Sequence, residues 1–173
     1  YNSNTLNTTG SGSCCYGLAS VSYFNSTTFS GSDGNFSGNL TINAGAVRAG
    51  SSTAFGTGAI YIDGSSNYGT FDLGGRTISN NLFLKAGQGQ LTASNTTYIG
   101  TMALTDSVGG GTVSGSVTLQ SNVMLAGPFN FGITGNIAGA FNIQKTSGNT
   151  VTLSGTNTCG CKFGGCPHPK CGY

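Results

Sequence analysis

The chain has 173 residues, enough for one domain with a sizeable core, yet only 6 % of them are charged and the net charge is +2. A typical soluble domain carries roughly 25 % charged residues; here Glu and Trp are absent and 31 Gly stand against 3 Pro, so the side chains that usually clothe helices are missing. This balance argues against a helical fold, and the wide separation of Arg48, Arg76, Lys85, Lys145, Lys162 and Lys170 leaves no basic stripe for a nucleic-acid partner.

Residues 1–24 form an N-terminal segment that contains Cys14 and Cys15 and is assigned to contact with another subunit. From residue 25 to 158 a short alternating strand followed by a Gly- or Asn-containing turn recurs. It is seen in Asn39–Gly45, Ala59–Gly64, Asn81–Gly87, Thr101–Asp106, Gly115–Gln120, Ala140–Gln144 and Asn149–Ser154. Shorter strands, Gly69–Leu73 and Thr77–Ser79, lie between them. Leu40, Ile60, Leu82 and Met102 are spaced by about twenty residues, a period typical of solenoids. After Met102 the spacing reads as irregular and shorter. Residues 159–173 form a Cys-rich tail.

The pattern predicts an all-β parallel β-solenoid with Gly and Asn corners and two or three strands per coil. One coil cannot bury its own apolar side chains, but coils stacked about 4.8 Å apart line them into an interior ladder. Alternation turns Leu40, Ile42, Ile60, Ile62, Leu82 and Leu84 inward. Corner glycines allow positive φ, and asparagines tolerate it and stack their amides. About eight coils would give a rod on the order of 40 Å long. The alternative is an antiparallel sandwich or jelly roll, which also uses short strands.

The series Leu40–Gly45, Ser52–Gly58, Thr70–Gly75, Thr77–Leu84, Ile143–Gly148 and Leu153–Thr158 resembles the autotransporter-associated β-strand repeat. The resemblance covers about half the chain, mainly residues 25–90 and 135–160. It implies the right-handed parallel β-helix of secreted passenger domains and brings no catalytic motif with it. The Cys-rich tail is foreign to that repeat. The two ends also parallel each other, Thr28–Gly38 near the start and Thr152–Gly160 near the finish, as if the chain ran from one occurrence of a phrase to the next.

The six cysteines, Cys14, Cys15, Cys159, Cys161, Cys166 and Cys171, form two terminal groups and point to disulfides in an oxidising compartment, hence a secreted or cell-surface protein. Metal binding with His168 and free thiols are the alternatives, but the spacings fit no common zinc template. Adjacent Cys14 and Cys15 pair poorly with each other and are expected to bond to the tail, which, with the termini at opposite ends of a rod, means the tail of a neighbouring copy; bridges within the tail alone are the alternative. No apolar stretch reaches the roughly twenty residues of a membrane helix. The start at Tyr1, with no signal peptide, reads as a processed mature protein.

The only side-chain carboxylates are Asp33, Asp63, Asp72 and Asp106. Asp63 and Asp72 are the pair most able to approach each other, but each is followed soon by a Gly and reads as a turn residue. No catalytic group, cofactor site or metal site is expected. Asn7, Asn25, Asn35, Asn39 and Asn95 head Asn-x-Ser/Thr triplets that arise by chance in such a composition. Tyr61, Tyr68 and Tyr98 could pack or stack on sugars. The expected function is a non-enzymatic extracellular filament subunit that polymerises head to tail under disulfide control. The alternatives are an adhesin module for a surface polysaccharide and, third, a polysaccharide-acting enzyme.

Overall fold

The structure, a computed structural model, describes residues 4–6, 26–32, 34–63, 69–85, 89–93, 96–100, 102–145, 147–158 and 160–161. Three parallel sheets form the walls of a β-solenoid of about five turns, with no helix among the described residues. Wall A stacks eight strands in the order β1 (Asn4–Leu6), β2 (Ser26–Phe29), β4 (Ala46–Ala49), β6 (Thr70–Asp72), β11 (Met102–Thr105), β14 (Val123–Leu125), β17 (Asn142–Lys145) and β19 (Gly160–Cys161). Wall B holds β3 (Leu40–Ile42), β5 (Ile60–Asp63), β8 (Leu82–Lys85), β13 (Val117–Leu119) and β16 (Ile137–Ala138). Wall C holds β7 (Thr77–Ile78), β12 (Gly111–Val113), β15 (Phe131–Ile133) and β18 (Val151–Leu153). The parallel solenoid thus holds over the sandwich, and its later coils visit walls A, C and B in turn. In the earlier coils a run of turns over residues 51–58 takes the place of a wall C strand.

The alternation read from the sequence sets the interior. Ile42, Ile60, Ile62, Leu82 and Leu84 are each 2 % exposed or less, and the register Leu40↔Ile60↔Leu82 makes them one ladder. Val117 and Ile137 continue it. On wall C the ladder is Ile78, Val113, Ile133 and Leu153. Phe29, Phe55 and Phe71 pack inside at centroid spacings of 5.4 Å, with ring planes tilted by 51° and 70°. Burying each such aliphatic side chain contributes about 1.5–3 kcal/mol.

Met102 does not join this ladder. It pairs with Met124 on wall A, and the next rung above Leu82 on wall B is Val117. The displacement comes from β9 (Gly89–Ala93) and β10 (Thr96–Gly100), which pair with each other as an antiparallel hairpin and add to no wall. The rung after Leu82 is therefore Val117, 35 residues on instead of about 20; walls B and C gain no strand from the hairpin, and the eight-coil estimate fails everywhere except in the strand count of wall A.

The second half is also more regular than its sequence suggested. Gly111↔Phe131↔Val151, Val117↔Ile137 and Val123↔Ile143 are all offsets of 20 residues. The paired ends behave differently: Phe29 lies on wall A and Leu153 on wall C, so the two similar phrases do not occupy equivalent positions.

Two devices hold successive coils together at the corners. Asparagine side-chain oxygens accept the backbone N–H of the residue twenty positions later: Asn39 from Ala59 (2.9 Å), Asn122 from Asn142 (2.9 Å), Asn130 from Thr150 (2.7 Å) and Asn136 from Thr156 (2.8 Å). These amides hold backbone rather than one another, which satisfies donors that the corner takes out of the sheet ladder. The second device is a column of glycines, Gly115, Gly135 and Gly155, at the turn between walls C and B. A Cβ on Gly135 would lie 1.9 Å from the Gly115 carbonyl oxygen, so no larger residue fits without parting the coils.

Replacing Gly135 by Ala is expected to lower the unfolding free energy by about 1–3 kcal/mol, as overpacking does. Gly148→Ala, whose added methyl meets nothing within 4 Å, should stay within about 0.5 kcal/mol of the parent. Urea denaturation of both variants checks the contrast.

Candidate functional site

The carboxylates were the first candidates for chemistry, and the fold groups them differently from the sequence expectation. Asp63 sits on wall B opposite Lys85, and its Oδ2 accepts from the Lys85 ammonium at 3.1 Å on the outer surface. Asp72 ends β6 on wall A. The carboxylate that approaches Asp72 through shared partners is Asp106, one coil further on. Both head the corner that leaves wall A for wall C: Asp72-Leu-Gly-Gly-Arg-Thr-Ile-Ser79 and Asp106-Ser-Val-Gly-Gly-Gly-Thr-Val-Ser114 are the same corner in successive coils. That shared Asp, Gly-Gly, Thr-Ile/Val-Ser pattern was the sequence signal for the pairing. Asp33 and His168 lie outside the described residues.

Asp72 and Asp106 are 2 % and 0 % exposed. Asp72 Oδ1 accepts the N–H groups of Gly74 (3.0 Å) and Ser107 (2.9 Å), and Oδ2 accepts the Ser107 hydroxyl at 2.5 Å. Arg48, its register neighbour on the coil below, stands 3.8 Å away through Nε. Asp106 accepts three backbone donors, from Gly75 (2.9 Å) and Val108 (3.1 Å) on Oδ1 and from Gly111 (2.7 Å) on Oδ2. Gly74 and Gly75 turn with φ of 56° and 73°, which glycine adopts without strain and which aims their N–H groups at the two acids. The pair therefore joins two coils: each acid caps its own turn, Asp72 takes two donors from Ser107 of the next coil, and Asp106 takes one from Gly75 of the coil before. Every carboxylate oxygen is directed at a donor of the fold.

The outer face of wall B is the other feature with chemistry. Tyr61 and Phe83 are register partners pointing outward, with rings stacked at 4.6 Å and planes within 10°. Beside them runs an open depression of about 520 Å³ whose rim carries Asn39, Thr41, Asp63, Lys85 and Gln120. The sequence offers Tyr61 as a packing or sugar-stacking residue but gives no sign of its partner Phe83, which only the register brings beside it. Tyr68 lies outside the described residues and Tyr98 lies on β10.

Cys161 lies on β19 opposite Ile143; Cys14, Cys15, Cys159, Cys166 and Cys171 lie outside the described residues. Among the described residues no three of His, Cys and Asp come together as a metal site, and no helix is long and apolar enough to cross a membrane. Compared with known protein families, curated proteins and solved structures, the chain matches none.

Burial raises the Asp72 carboxyl above its ordinary value, outweighing the hydrogen bonds from Ser107 and Gly74 and the charge of Arg48. The folded state then holds this proton more tightly than the unfolded chain. Asp72 therefore contributes most below its unfolded pKa, and that contribution is lost as pH rises through the raised value. Asp72→Asn keeps an oxygen for Gly74 and Ser107 and removes the titration. The stability of the variant relative to the parent should rise as pH climbs out of the acid range, read by urea unfolding across pH; parallel curves would contradict the assignment.

Proposed function

We propose that this chain is a non-enzymatic, extracellular structural protein that stacks end to end with copies of itself into a filament. The apolar ladder supports this. Its middle rungs are almost wholly buried, whereas the hydrophobic residues only partly buried against it are Phe29 and Leu40 in its first coils and Val151 and Leu153 in its last. Leu40 stands on β3 and Val151 and Leu153 on β18, the edge strands of walls B and C among the described residues, so residue types that are sealed in mid-stack are half open there. A coil of a second copy has the matching shape, the same strand direction and the same strand spacing. Heterologous contacts of that kind, when they do not close on themselves, give an open fibre.

Wall A strengthens the reading, since it extends from β1 at one edge to β19 at the other. Cys161 belongs to β19. Disulfides among Cys14, Cys15, Cys159, Cys161, Cys166 and Cys171 would lock one copy to the next in an oxidising, extracellular setting. The buried, donor-saturated state of Asp72 and Asp106 favours structure over catalysis, because neither acid is presented to a substrate.

Sedimentation velocity and electron microscopy of the native protein under oxidising conditions should show filaments whose length grows with concentration and which loosen on reduction. Leu153→Arg, placing a charge on the half-open end rung, should yield discrete particles with an unchanged β-sheet circular dichroism spectrum. Material that stays monomeric at every concentration would overturn the proposal.

A further inference from the structure

We infer that the outer face of wall B carries a binding slot for a neutral oligosaccharide built of flat, all-equatorial pyranose units, with the Tyr61 ring as its floor. Thr41, Tyr61 and Phe83 occupy successive rungs of the same outward column. The two rings stack 4.6 Å apart and nearly parallel, close to the roughly 4.8 Å between paired strands. The stack therefore runs along the solenoid axis, and each ring lies like a plate across it. Phe83 covers one face of Tyr61. The other face is turned toward the rung of Thr41, whose short side chain is exposed and leaves the place of the next plate unfilled. Thr41 and Tyr61 border the same open depression.

An aromatic ring is electron-rich on its face, and a pyranose with equatorial hydroxyls presents a face of axial C–H bonds to match it. Such a sugar ring has about the thickness of the missing plate. Its hydroxyls would project sideways, toward the rim. There the slot offers the Asn39 amide, the Thr41 hydroxyl, the Asp63–Lys85 ion pair and the Gln120 amide. Donors and acceptors of both kinds are thus ranged beside one aromatic floor, the mixture that fixes a polyol rather than an apolar ligand. The apolar chain of a lipid would gain little from this rim. The mixed charge of Asp63 and Lys85 does not select an anion or a cation. The slot lies where wall B ends, on β3, and the depression is open along the rungs, so a chain of several sugar units has room to run past it.

This inference is independent of filament formation, and the test keeps the two apart. Cellohexaose, a linear β-1,4-linked glucose hexamer, is titrated into the full chain by calorimetry, using both the parent and the Leu153→Arg protein. Saturable binding is expected in each, with saturation transferred from protein to sugar in NMR. Tyr61→Ala should weaken it by about tenfold, from loss of the stacking contact. Thr41→Tyr should abolish it by filling the slot with a third ring, while the thermal midpoint stays at or above that of the parent. Absence of cellohexaose binding by the parent, or undiminished binding by the well-folded Thr41→Tyr protein, would overturn the inference.

Discussion

Each coil of this molecule meets the next through a parallel backbone ladder, and everything else in the structure depends on keeping that contact in register. Residue i faces residue i + 20 over most of the second half, as Gly111, Phe131 and Val151 show. A shift by one residue would turn Ile133 and Leu153 outward and their polar neighbours inward. The register is held twice: inside, by aliphatic side chains stacked rung on rung, and at the corners, by Asn39, Asn122, Asn130 and Asn136 reaching the backbone of the coil above. The glycine column at Gly115, Gly135 and Gly155 lets the corners close to backbone contact.

The odd composition follows from this arrangement. A solenoid that satisfies its corner donors with amides needs few charges, and the ones it has are placed. Asp72 and Asp106 tie two successive corners together from inside, with Arg48 beside Asp72. Asp63 and Lys85 pair across adjacent rungs on the surface, where such a pair contributes little to stability. Among the described residues two buried polar atoms, Asn80 Oδ1 and Thr105 Oγ1, lack a hydrogen-bond partner, although the Asn80 amide nitrogen donates to the carbonyls of Phe55, Gly56 and Gly58.

Much of the fold was legible because inward positions on wall B carry large aliphatics at a clear period, from Leu40 to Ile60 to Leu82. The period was lost where residues 89–100 fold into a hairpin made of the same Thr, Tyr and aliphatic residues as a coil. Composition cannot separate a strand that joins the stack from one that pairs with its neighbour. Beyond it the strict period returned, but its inward residues change identity, from Gly to Phe to Val at one position. The constant feature there was the corner, Ser114-Gly115, Thr134-Gly135 and Ser154-Gly155, and not the core. Asp63 and Asp72 read as turn residues, yet each is the last residue of a strand, β5 and β6; Asp72 was also matched with the wrong partner, because two acids nine positions apart look closer than two that are a coil apart. The slot beside Tyr61 needed the register of Thr41, Tyr61 and Phe83 before it could be seen at all.

A stack whose interior is sealed and whose end rungs are half open invites continuation, and the filament proposed here is that continuation by a second copy. Its geometry is specific: strands must run across the fibre, with the solenoid axis along it. X-ray diffraction from aligned native material tests this most directly. The account predicts a strong reflection near 4.8 Å along the fibre axis, with coils of neighbouring copies in one unbroken ladder. Strand spacing found only perpendicular to the axis, or native material that yields no ordered fibre, would contradict it.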